Sequence, residues 1–341
     1  MQTVTNNISD IHRQSRPYIA PGESGIVLAA VLILLGIIVA FVLQAQVLAR
    51  SCLNLENTRL VRTQLRETAG EGIWCALNQL AADQILLIDH TNEEWATTIF
   101  MQLPNGIDNE IIIIDENRYL DANMLAYLSP SEQWRPSTAI IRDLLVSENS
   151  PARPPRRTIR RGEITGPQAF NPEVQTKIIR DWVDQNIEGG YEKSYYQRKH
   201  VQFYPDNNPL ESREELLWLL NAATNDIPRT TALTVLPAKE RRIEPINVNT
   251  ADRQTLLAIF GDNNAGTVER IIRGRNAAPI LALDQVLDPL TLKRYSDYLS
   301  VRSSFFSVYS KAKMGFSAEE VYCLAKRDST GKIRVIRWVE H

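Results

Sequence analysis

The 341-residue sequence has no surplus of charge of either sign. Thirty-eight Lys and Arg stand against 40 Asp and Glu, which excludes a globally basic body drawn to nucleic acid or anionic lipid and leaves such partners to a local patch. Cysteine is scarce, three residues in all, and none forms a C-x-x-C pair, so neither a disulfide-built scaffold nor a thiol redox motif is present. G-x-S-x-G, H-E-x-x-H and the P-loop are also missing. Of the four histidines only His90 and His200 lie away from the ends of the chain, and neither stands beside an obvious nucleophile. The expectation is a protein that is not an enzyme.

Polarity is missing from one stretch. Gly25 to Leu43 is nineteen residues without a polar side chain, and no charge occurs between Glu23 and Arg50. At about 1.5 Å per residue the run spans a hydrocarbon core of roughly 30 Å, so it reads as a single membrane helix. Three readings compete for it. A secretory signal cut after Val47-Leu48-Ala49 wants a basic start and an apolar stretch of about 7–15 residues, whereas the preceding segment is nearly neutral, with Asp10 and Glu23 against Arg13 and Arg16. A plain anchor is the second. Arg50, Arg59, Arg62 and Arg66 beyond the helix outnumber the two Arg before it, so loop charge does not fix its orientation. The third is a leader ending in Gly directly before the apolar helix, cut after Gly25 to expose Ile26.

Proline is absent from Leu53 to Asp83. There Leu60, Val61, Leu65, Ala69, Ile73, Leu77, Leu80 and Ala81 recur at three- and four-residue steps, which continues the apolar helix as an amphipathic one. Gly70 and Gly72 weaken it by about 1 kcal/mol each relative to Ala. A loop is expected over Gln102 to Gly106 and a short buried strand over Ile111 to Ile114. At the far end Ser303 to Ala312, Glu319 to Arg327 and Lys332 to Glu340 read as strands, with Asp328-Ser329-Thr330-Gly331 turning the last two. Between these β regions the spacing predicts helices over Thr138–Val146, Val174–Asn186, Glu211–Ala223, Asp252–Phe260, Thr267–Asn276 and Leu281–Tyr298. Ser212 with Glu215 forms a capping box, and Asn249-Thr250 is a similar start signal. Ser150 to Gly162, with three Pro and five Arg, is a linker or exposed loop by composition.

Several segments together resemble one family. Gly25 before the apolar run, Ile113-Ile114-Asp115-Glu116 with Leu120-Asp121-Ala122-Asn123-Met124-Leu125, Asp181-Trp182-Val183-Asp184, Gly190-Tyr191-Glu192 with Tyr195-Tyr196, Arg213-Glu214-Glu215-Leu216, Leu233-Thr234-Val235-Leu236-Pro237, Ile246-Asn247-Val248-Asn249-Thr250-Ala251 and Phe305-Phe306-Ser307-Val308 follow one another in the order of the minor pseudopilin K family of bacterial type II secretion systems. The resemblance implies an α+β fold: a pilin-like long N-terminal helix packed on a small antiparallel sheet, with a large all-α domain inserted. The division is then 1–25 prepilin leader, 26–49 transmembrane helix, 50–125 periplasmic helix and first strands, 126–300 inserted helical domain with a helix-hairpin-helix-like stretch at 246–287, and 301–341 closing strands.

It also implies an inner-membrane, single-pass protein with its bulk in the periplasm, cut by prepilin peptidase and carrying the family's methylation. Such a protein caps the tip of a pseudopilus with minor pseudopilins I and J, above the major pseudopilin and the inner-membrane secretion platform, and aids export of exoprotein cargo through the outer-membrane secretin. The fifth residue after the cut is Ala30, where most pilin-like subunits carry a Glu that pairs with a neighbour's terminal amine. A subunit without that Glu need not receive another above it, since an unpaired charge there would be costly. Family members can bind Ca²⁺, and Asp184, Asn186, Glu188 and Glu192 supply oxygens for such a hard cation. Asn186 replaces an Asp, however, and Lys193 puts a cation alongside, so a solvated acidic turn is the competing reading. Cys75 and Cys323 meet if the helix covers the sheet, as a disulfide or as two separate thiols. The alternative function is a membrane-anchored helix-hairpin-helix DNA-binding protein of competence or type IV pilus type, with Arg270, Arg273 and Arg275 on phosphates; the loop Gly261–Gly266 lacks the glycine triplet that such a hairpin uses.

Overall fold

The computed structural model describes residues 23–127, 135–149, 171–199, 204–205, 207–224, 232–237 and 243–340. The Arg/Pro stretch at 150–162, most of the leader and His200 lie outside them. Two compact units divide the chain at Val61/Arg62.

Helix α1 (Glu23–Ala81) is unbroken, as expected of a proline-free run. It is the one helix among the described residues long and apolar enough to cross a membrane. In the second unit its buried stripe is Leu65, Ala69, Ile73, Ala76, Leu77 and Leu80. Leu60 and Ala81, which the spacing places on that stripe, are exposed.

That stripe covers one face of a five-stranded antiparallel sheet of order β1-β2-β7-β8-β9, formed by β1 (Ile99–Gln102), β2 (Asp108–Asp115), β7 (Phe305–Met314), β8 (Ser317–Arg327) and β9 (Ile333–Glu340). Strand β2 alternates, with Ile111 and Ile113 buried beneath α1 and Ile112 exposed, because successive side chains point to opposite faces. Strand β1 escapes the sequence pattern: it is four residues long, runs along the sheet edge and reaches Gln102, where a loop is expected. A register shift at Leu324/Ala325 marks the β8–β9 pairing.

The remaining elements lie between β2 and β7. Strand β3 (Leu120–Asp121) pairs with β4 (Leu233–Thr234), and β5 (Ile246–Asn247) with β6 (Leu299–Ser300), both in parallel. Around them stand α2 (Ser137–Asn149), α3 (Pro172–Val183), α4 (Lys193–Arg198), α5 (Arg213–Thr224), α6 (Arg253–Phe260), α7 (Ala265–Ala277) and α8 (Pro289–Tyr295). They share one hydrophobic core, in which Ile140, Leu144, Ile178, Trp182, Leu219, Leu256 and Ile271 are buried. Leu120, Ala122, Met124 and Leu125, placed with the frame by the sequence division, belong to this core.

Local chemistry explains the helix starts. Asn171 caps α3 ahead of Pro172, and Asp288 caps α8 ahead of Pro289, each using the missing proline N–H where none is needed. Half of the capping box at α5 is present: Ser212 Oγ accepts from Glu215 N at 3.1 Å, but the Glu215 carboxylate takes Glu211 N at 2.7 Å, one residue before the cap. At α6 the cap is Asp252, whose Oδ1 accepts from Thr255 N, rather than Asn249-Thr250. The helix expected over Leu281–Tyr298 is three short pieces, a 3-10 turn at Leu283–Gln285, α8, and another at Ser296–Tyr298. Pro289 breaks it, since proline cannot continue a helix from the preceding turn.

Candidate functional site

The motif residues gather at the joint between the sheet and the helical insert, and there they serve as a clasp. Asp115, at the end of β2, is buried and accepts from Ser303 Oγ at 2.6 Å, Thr250 Oγ1, Asn117 N at 2.8 Å and Asn247 Nδ2 at 3.4 Å. Glu116 accepts from Thr234 Oγ1 and Ser307 Oγ. Asn117 donates to Pro245 O and accepts from the N–H groups of Ser304 and Phe305. Asn123 bonds both backbone groups of Leu210 and the carbonyl of Leu236, and Asn249 does the same for the N–H and C=O of Ile280. Asn117, Asn123 and Asn249 satisfy backbone groups outside the strand ladders, while Asp115 and Glu116 mainly take hydroxyl groups. The Asp115-Glu116, Leu120–Leu125 and Ile246–Ala251 segments thus hold the joint together.

The clasp carries proton linkage. Burial pushes the Asp115 carboxyl up to about 6, against the bonds from Ser303 and Thr250, and pushes Asp121 up to about 7, against the N–H groups of Leu236 and Asn123. In the unfolded chain both titrate near 4. Between that value and about 7 the folded chain holds more protons, so this stability is complete below the unfolded pKa and is lost as pH rises through the folded one. Thermal unfolding of the full chain should therefore show a midpoint that rises from pH 8 to pH 5. Asp121→Asn should flatten that slope; an unchanged slope would clear Asp121 of any part in it.

A second buried group lies on the helix side of the sheet. Arg327 has no exposed surface and bonds Asp83 at 2.7 Å and Asp89, with its guanidinium 4.8 Å from the Phe306 ring centre. Asp89 also accepts from Ser303 N. Asp83, Asp89 and Glu93 form the one acidic trio among the described residues whose oxygens lie within 4.8 Å of one another. Arg327 supplies one positive charge to two of the three, Asp83 and Asp89.

The acidic turn after α3 differs from its sequence pattern. Asn186 Nδ2 donates to Asp184 at 2.8 Å and Asn186 Oδ1 accepts from Glu188 N at 2.7 Å, so the Asn186 amide is committed to the turn, and Glu188 is exposed. Lys193 lies 5.0 Å from the Tyr204 ring centre, paired with an aromatic face rather than with the acids. The third carboxylate here is Asp181, which the sequence pattern did not single out: it is buried, accepts from Tyr191 N at 2.9 Å and leaves no room for a side chain at Gly189. Asp184 Oδ1 and Glu192 Oε1 are buried without a hydrogen-bond partner. Burial, and after it the charge of Asp181, raise the proton affinity of Glu192. Unsatisfied carboxylate oxygens beside further acid are the donor set a hard cation uses. Of the expected four, the Asn186 amide is committed to the turn and Glu188 is exposed, and the oxygens of Asp181, Asp184 and Glu192 are not drawn together within 4.8 Å as those of Asp83, Asp89 and Glu93 are.

Gly25, Ile26 and Ala30 all lie near the start of α1 and are exposed. The disulfide is not formed, as Cys75 and Cys323 are free thiols. Cys323 is buried in the face of the sheet that α1 covers, while Cys75 is exposed beside the buried Ile73, Ala76 and Leu77, because residues on opposite sides of a helix cannot both meet the sheet. In the hairpin-like unit Arg270 and Arg273 are exposed, but Arg275 turns inward to the carbonyls of Val248 and Ala251.

No protein-family model matches the chain. No curated protein matches it. Among solved structures it is similar to a chain of the GspK–GspI–GspJ complex of the type 2 secretion system of enterotoxigenic Escherichia coli, with 20% sequence identity and a TM-score of 0.59 over 84% of this chain and 98% of that one. The likeness shows that the two share a fold, in which a long N-terminal helix, an antiparallel sheet and a helical body belong together.

Proposed function

We propose that the chain is a minor pseudopilin of a type II secretion system and closes the tip of its pseudopilus. The reading rests on the extent of the shared fold, since the similarity takes in nearly all of a chain from an assembly of GspK, GspI and GspJ. The apolar start of α1 supports anchorage in the inner membrane, and the uncharged Ala30 supports a subunit with none above it. Prepilin peptidase cuts after Gly25; counterparts of GspI and GspJ bind the body; the major pseudopilin and the membrane platform lie beneath; exported cargo passes ahead of the tip. N-terminal sequencing of protein co-expressed with a prepilin peptidase tests it. A start at Ile26 is expected, whereas a start at Arg50 or an uncut chain would refute it.

Calcium belongs to the same proposal. Asp181, Asp184 and Glu192 would hold the ion, which would neutralise the carboxylates and fix the turn between α3 and α4. Calorimetric titration of the full chain with Ca²⁺ and Mg²⁺ should show heat with Ca²⁺ that Glu192→Gln removes, and its absence would remove the metal from the model of function.

A further inference from the structure

A cavity of about 440 Å³ opens between the turn after β2, the Asn249-Thr250 turn and the end of α7. Three arginines line it: Arg118, Arg253 and Arg275. Arg253 is neutralised by Glu269 at 2.7 Å. The other two make no ion pair among the described residues. Arg118 stacks on the Tyr119 ring at 5.4 Å, and its Nε is buried without an acceptor. Arg275 is half-buried; one nitrogen serves the carbonyls of Val248 and Ala251. Both arginines line the one cavity; burial, and after it the charge of Arg118, lower the proton affinity of Arg275, while the charge of Asp252 acts the other way. The single acid of the lining, Asp252, gives its Oδ1 to the cap of α6. Arg118 and Arg275 against this one carboxylate leave the cavity net positive, and Arg118 keeps a buried donor unfilled, which a further anion would satisfy.

We infer that this cavity is a site for a small oxyanion, a phosphate or carboxylate group held between Arg118 and Arg275. Planar guanidinium forks match the oxygens of either group. The site is separate from the Gly261–Gly266 hairpin, none of whose residues lines it, and it does not depend on the pseudopilin reading.

The test uses the full chain in detergent, with its melting followed in inorganic phosphate, in succinate and in chloride at equal ionic strength. An anion that binds only the folded state raises the midpoint with its concentration. Phosphate or succinate, whichever group the site takes, should raise it by several degrees beyond chloride. Arg118→Gln should weaken that anion by about tenfold or more in calorimetric titration. Because the substitution also relieves repulsion, the variant should melt in chloride no lower than the natural chain. Equal midpoints in all three salts, an unchanged affinity in Arg118→Gln, or a variant that melts lower in chloride would each overturn the assignment.

Discussion

Replacing Arg327 by methionine should cost the fold about 3–5 kcal/mol, the scale for breaking a buried ion pair by removing one partner. Methionine keeps much of the volume beneath Phe306 but leaves Asp83 and Asp89 facing each other, and neither Asp89 nor Arg327 has any exposed surface. Urea unfolding of the full chain measures the loss. A pH arm identifies its cause. Burial already raises the Asp89 carboxyl above its usual range, with Arg327 as the main force pulling it back. Without the guanidinium Asp89 takes up a proton more readily still, so the deficit of the variant should shrink between pH 7 and pH 5. A deficit that is constant across that range would assign the loss to packing instead of charge.

Gly72→Leu should cost about 3 kcal/mol, at the upper end of ordinary overpacking. Here α1 approaches the sheet so closely that a methyl group on residue 72 would fall 3.0 Å from Ile111 Cγ1 and nearer still to Ser310 Oγ and Asn109 Nδ2. Asn109 cannot withdraw freely, since its Nδ2 donates to the carbonyl of Thr68 at 3.1 Å. Gly70, two residues away, is the contrast. A methyl group there meets the Trp338 ring at 3.6 Å, an ordinary contact, and Gly70→Ala should gain up to about 1 kcal/mol from helix propensity. Opposite signs for the two glycines, read from the same unfolding curves, are the expected result; a loss at both would mean that the helix face at Gly70 is as crowded as that at Gly72.

Much of the architecture was legible because it follows from periodicity. The uncharged run after Glu23, the stripe from Leu65 to Leu80 and the closing strands with their Asp328–Gly331 turn each repeat a local pattern, and each forms within a few residues of where it is expected. Less legible were the elements whose formation depends on a neighbour. Strand β1 exists because β2 is beside it; α4 is six residues long; the break at Pro289 overrides apolar spacing that runs on through it. The acidic turn shows the same limit for the site. Oxygen-bearing side chains can be counted in sequence, but which of them are committed to the turn and which remain unsatisfied depends on where the chain folds back, and Asp181 enters only because Gly189 comes against it.

The sequence by itself determined the long apolar helix, the closing strands and the want of any catalytic motif, since each rests on residue spacing along one segment. The tertiary structure alone decided what the charged and thiol groups do. It paired Arg327 with Asp83 and Asp89, set Cys75 and Cys323 apart, turned Arg275 inward and made the motif carboxylates into a clasp. The physical reason is that burial and partnership, which set the energy of a charge, are properties of the space around it, and that space is assembled from segments up to 244 residues apart.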